Sequence, residues 1–136
     1  MNRFGLHFHH FGLAVRDPAD ASIYLDGLGY RKAAEHFEPT QGVHVALFEH
    51  EAMPAVEALW PGLDPSPIDR LLKGRDALIY HLCYRSDSPA ASLKSMEAAG
   101  LRVLPVLEPR PAILFGGRPV SFHNVVSVGL IELVHG

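Results

Sequence analysis

The chain has 136 residues, 48% hydrophobic and 20% charged, enough for one compact domain or two tightly joined half-domains and too apolar for a disordered segment. Its 12 Lys and Arg against 15 Asp and Glu give a formal charge of −3 with no basic stripe, which argues against nucleic acid as a partner. No apolar run approaches bilayer length and residues 1–10 lack a secretory apolar core, so no membrane is expected and the expected location is the cytoplasm.

In chain order, residues 8–15 alternate as a strand, with Phe8, His10, Gly12 and Ala14 on one face and Phe11, Leu13 and Val15 on the other. Pro18 suits the first turn of a helix, residues 19–28 supply its apolar stripe, and Gly29 suits the position just past its end. Residues 30–37, 43–49 and 54–60 read as three strands separated by Gly- and Pro-bearing turns. Ser66-Pro67-Ile68-Asp69 then predicts a short capped helix over 66–72, with Ser66 as its N-cap. A strand at 78–85, a helix at 89–99 closed by Gly100, and strands at 101–107, 119–124 and 128–135 complete the chain.

The second half repeats the first. His10, Pro18, Ala19 and Gly29 match His81, Pro89, Ala90 and Gly100 at one offset of 71 residues. Each half also ends in an apolar strand with a single glutamate, Glu57 in Val56–Trp60 and Glu132 in Ile131–Val134. The expected architecture is therefore α+β. Two tandem βαβββ modules form a cupped mixed sheet within a single domain, module 1 spanning about 8–60, a linker helix about 61–76 and module 2 about 77–135.

Strand alternation sets the direction of the notable side chains. His81 shares a face with Cys83 and Arg85, against the apolar Tyr80, Leu82 and Tyr84; Glu57 opposes Val56 and Ala58, and Glu132 opposes Ile131 and Leu133. With the helices on the apolar faces, His10, Glu57, His81 and Glu132 all turn to the other face. A lone strand histidine or glutamate is more often structural or solvated. Two His–Glu sets matched by one repeat favour a shared ion, because a buried carboxylate is costly without a cation. Cys83 is the sole cysteine, so no internal disulfide can form and a thiolate zinc site cannot be built from this chain. Two imidazoles and two carboxylates suit a divalent ion such as Co, Mn, Ni, Zn or Fe with open positions. Such an ion polarises a substrate oxygen and stabilises an enolate.

The repeated βαβββ unit, with His on its first strand and Glu on its last, resembles the vicinal oxygen chelate superfamily of glyoxalases, bleomycin-resistance proteins and extradiol dioxygenases. Within it, His9–Val15, Gln41-Gly42-Val43, Ser66-Pro67-Ile68, Gly116–Phe122 and Gly129–Val134 are most similar to methylmalonyl-CoA epimerases. The resemblance implies metal ligands at His10, Glu57, His81 and Glu132. It also implies proton transfer next to the carbonyl of a small-molecule substrate, an acyl-CoA thioester in the epimerases, with Glu132 as one proton-transfer carboxylate. The epimerases' second acidic position matches Val45, which moves no proton; His44 should face away, and Glu49 has the right parity at the strand end.

Arg85, on the metal face, and Arg118, in the loop before the seventh strand with Arg110, are candidate substrate contacts, each with a solvated surface arginine as the plain alternative. Pro111–Phe115 reads as a lid, an interface or core packing. The expected function is a metal-dependent isomerase or epimerase. The alternatives are a lactoylglutathione-lyase-like enzyme, a non-haem iron dioxygenase or a metal-free binding and resistance protein. A dioxygenase needs only two His and one Glu, so Glu57 weighs against it. Sheet edges wanting cover suggest a homodimer.

Overall fold

A computed structural model describes residues 2–136. The elements are β1 (His7–Val15), α1 (Pro18–Gly27), β2 (Arg31–Glu38), β3 (Val43–Glu49), β4 (Ala55–Pro61), β5 (Ala77–Ser86), α2 (Pro89–Ala98), β6 (Val103–Pro111), a 3-10 turn (Ile113–Phe115), β7 (Pro119–Val125) and β8 (Gly129–His135). This is βαβββ made twice, the α+β architecture that the repeat predicts.

The chain divides into two compact units, His10–Tyr80 and residues 2–9 with His81–Gly136. In the first, the strand order is β2-β3-β4-β1, with β1 and β4 parallel and the other pairs antiparallel. In the second it is β5-β8-β7-β6, with β5 and β8 parallel and the rest antiparallel. A helix covers one face of each. Leu25 and Tyr30 pack on Ala46, Phe48, Val56 and Ala58, with Leu13 and Trp60 at the margin. Met96 packs on Val125, Ile131 and Leu133, flanked by Tyr84, Leu93, Leu101 and Val103. Phe4 and Leu6 join this second cluster, so residues 2–9 pack with the module that follows them by some seventy residues.

The two helices end alike. After α1, Gly29 N–H donates to Asp26 O and Tyr30 N–H to Leu25 O; after α2, Gly100 N–H donates to Glu97 O and Leu101 N–H to Met96 O. Each is a Schellman ending, closed by an apolar contact between the partners of its longer bond. Gly29 and Gly100 take φ of +95° and +93°, which L side chains resist. A Cβ at Gly100 would meet nothing within 4 Å, so Gly100→Ala tests backbone strain alone. A loss of about 1 kcal/mol in urea denaturation is expected, and no loss would mean that this ending does not hold α2.

The structure corrects the sequence reading at two places. Residues 67–74 form consecutive turns and no helix. The Ser66 hydroxyl is buried without a hydrogen-bond partner, and Asp69 instead accepts from Ser66 N–H at 2.7 Å. The carbonyls of Leu72 and Arg75 are taken by the Arg16 guanidinium, while Ile68 and Leu72 supply the buried side chains of the segment. Further on, β6 starts two residues later than expected and runs to Pro111, so Arg110 lies in a strand opposite Val120 and not in a loop. Pro105, Pro109 and Pro111 interrupt its hydrogen bonding, and its register slips twice, as an edge strand allows.

Candidate metal centre

Each unit holds one imidazole–carboxylate pair on the sheet face away from its helix. In the first, Gly12 of β1 lies opposite Glu57 of β4. His10, two residues earlier and therefore on the same face, brings Nε2 to 3.7 Å from Glu57 Oε1. In the second, Cys83 of β5 lies opposite Glu132 of β8, and His81, again two residues earlier, brings Nε2 to 3.2 Å from Glu132 Oε1. The two pairs thus occupy one register in parallel strand pairs. All four residues are buried. The ring of Phe122 stands edge-on to His81 at 5.2 Å.

An ionised carboxylate out of water needs a positive partner. Either the adjoining imidazole carries a proton, or a cation shares the oxygen and nitrogen lone pairs. The donor chemistry fits a borderline or hard divalent ion: imidazole nitrogen and carboxylate oxygen, with no thiolate needed.

Glu49 is exposed at the end of β3, with Arg31 at 3.5 Å. Val45 is buried opposite Leu59, and His44 stacks on Trp60 and meets Phe37 edge-on. Arg85 reaches Asp87 at 2.5 Å. Arg118 is exposed, its backbone closing the turn with Ala112 and Phe115.

Within Pro111–Phe115, Ala112 and Phe115 join the core packing on the face of the second unit that carries His81 and Glu132. Ala112 is buried with Cys83, Val120 and Val134, and Phe115 packs against the same group. These apolar side chains wall the face that carries His81 and Glu132. Sequence reasoning left this segment among three roles; the parity that puts Cys83 and Val134 beside the pair was the available signal.

Solved structures supply likenesses of fold. Methylmalonyl-CoA epimerase from Mycobacterium tuberculosis is 24% identical, with a TM-score of 0.73, over 95% of this chain and 87% of that one. A selenomethionine-labelled methylmalonyl-CoA epimerase is 25% identical, with a TM-score of 0.70, over 94% and 93%. A variant of the Streptomyces coelicolor methylmalonyl-CoA epimerase in complex with 2-nitronate-propionyl-CoA is 22% identical, with a TM-score of 0.75, over 96% of both chains. Among curated proteins there is no significant match. No helix among the described residues is long and apolar enough to cross a membrane. The sequence model of the Glyoxalase/Bleomycin resistance protein/Dioxygenase superfamily matches residues 9–122, most of both βαβββ repeats. With the eight strands and two helices in that order, the chain belongs to this superfamily, the vicinal oxygen chelate proteins.

Proposed function

We propose that the protein is a metal-dependent epimerase or isomerase that removes and returns the proton next to the carbonyl of an acyl thioester. One observation carries this reading: a buried imidazole–carboxylate pair recurs in the same register in each half. A fold alone has no use for two such pairs. On this reading His10, Glu57, His81 and Glu132 together hold one divalent ion, with Co, Mn, Ni, Zn and Fe all compatible with the donor set. When bound, the ion supplies Lewis-acid stabilisation of negative charge on a carbonyl oxygen.

The protein's own groups do the rest. A carboxylate oxygen of Glu132 takes the proton α to the carbonyl, and inversion follows when a second acid delivers a proton to the opposite face of the enolate. Ala112, Val120, Val134 and Phe115 make that face apolar, which strengthens the electrostatic interactions at the carboxylate. Arg85 and Arg118 are the cations offered to acidic groups of the substrate. The substrate class follows the acyl-CoA analogue bound by the Streptomyces coelicolor protein.

The test is exchange. Metal-loaded protein in deuterated buffer with methylmalonyl-CoA should erase the α-proton signal in NMR, a chelator should stop this, and added Co²⁺ or Mn²⁺ should restore it. Failure of the metal-loaded protein to exchange any acyl thioester sinks the reading. Oxygen uptake with a catechol would move the protein to the ring-cleaving branch instead.

A further inference from the structure

The helix-covered face of the second unit carries a polar cluster that the proposed chemistry does not use. Ser121 Oγ lies 2.8 Å from His135 Nε2 and 2.9 Å from His123 Nε2. Ser121 and His123 are buried, and His135 is half-buried at the end of β8. Beside them, Ser86 of β5 sits opposite His135 and shares a 2.8 Å hydrogen bond with Ser92 of α2.

The internal repeat shows that the fold does not require polarity there. Leu47 lies opposite Glu57 in the first unit as Phe122 lies opposite Glu132 in the second. Counted from those pairs, Ser121, His123 and His135 take the positions of Ala46, Phe48 and Trp60. In the first unit these three residues belong to the apolar cluster under α1. Exchanging methyl, phenyl and indole groups for a hydroxyl and two imidazoles costs burial energy without any gain in packing.

The cluster's hydrogen bonding is also constrained. A hydroxyl has one proton to give, so Ser121 can satisfy one imidazole lone pair, and the other ring must present its N–H to the oxygen. Burial pushes both imidazoles below the usual histidine value, and the neighbouring His135 adds to the effect at His123. The shift favours the neutral rings, the state in which imidazole binds metals.

We propose that Ser121, His123 and His135 form a second transition-metal site, distinct from the His–Glu set, in which the ring that donates to Ser121 shifts its proton from Nε2 to Nδ1 and two Nε2 lone pairs and the hydroxyl oxygen meet one ion. Nitrogen and oxygen donors of this kind select Zn²⁺, Ni²⁺ or Cu²⁺ over Mg²⁺ and Ca²⁺. Water entering beside the half-buried His135 completes the coordination.

Equilibrium dialysis of the intact protein against Zn²⁺ with elemental analysis tests this, and Co²⁺ absorption gives a spectroscopic check. Wild type is expected to bind two ions per chain. His135→Phe should bind one, with affinity at the second site down at least roughly tenfold, and His81→Ala should lose the other. A triple variant carrying the first unit's residues, Ser121→Ala with His123→Phe and His135→Trp, removes the same ion from a cluster of the sister unit's composition. A folded wild type that binds one ion and keeps it in His135→Phe overturns the proposal, as does two-ion binding that persists in His135→Phe. One ion that survives His81→Ala but not His135→Phe supports the second site and sinks the first.

Discussion

Glu132→Gln is expected to slow α-proton exchange of an acyl thioester by about 10²–10⁴-fold, the range contributed by a positioned acid–base group. The substitution keeps side-chain volume and one oxygen that can still face an ion, and removes the ability to accept a proton at neutral pH. Glu132 is buried on β8, with His81 Nε2 3.2 Å from one of its oxygens, so the amide should remain where the carboxylate was. The loss should therefore fall on kcat more than on KM. Glu57→Gln changes the same donor in the other half, where no proton transfer is assigned, and should cost less. NMR exchange rates measured with bound metal on both variants separate the two roles. A Glu132→Gln protein exchanging at the wild-type rate would remove this residue from the proton path.

Much of this arrangement was legible because the repeat ties local signals together. His10 and His81, Pro18 and Pro89, and Gly29 and Gly100 share one offset, and each member does the same physical job in its half. Period-two alternation then directs His10, Glu57, His81 and Glu132 away from the helices, as the register and the apolar clusters bear out within each unit. The linker was misread because a good N-terminal helix signal at Ser66-Pro67 says nothing about the far end, where Arg16 takes the carbonyls of Leu72 and Arg75. The docking of Phe4 and Leu6 on Met96 and Leu133 has no local signature, since it joins residues about ninety or more positions apart. The Ser121, His123 and His135 cluster escaped for a different reason. Each residue is unremarkable alone, and only alignment of the halves through their strand registers sets them against Ala46, Phe48 and Trp60.

The residue next to Glu132 reads the opposite face of the same strand. Leu133 is fully buried in the cluster of Leu6, Met96, Val125 and Ile131, so Leu133→Ala removes contacts that hold α2 and residues 2–9 against the sheet. The expected cost is about 2–5 kcal/mol, combining lost transfer energy with the cavity left behind, against a total stability of about 5–15 kcal/mol for a domain of ordinary size. It should appear as a lower urea midpoint with an unchanged slope. An ion that binds only the folded chain would raise the stability of both proteins through mass action, so the difference should survive in each metal state when binding is equal. A cost below about 1 kcal/mol would mean that the face under α2 is not the tightly packed core of this unit. The strand would then have no fixed side from which to aim Glu132, and slow exchange in Glu132→Gln could no longer be assigned to chemistry at that carboxylate. Large effects in different observables from neighbouring residues, rate at 132 and midpoint at 133, are what alternation on a two-faced strand requires.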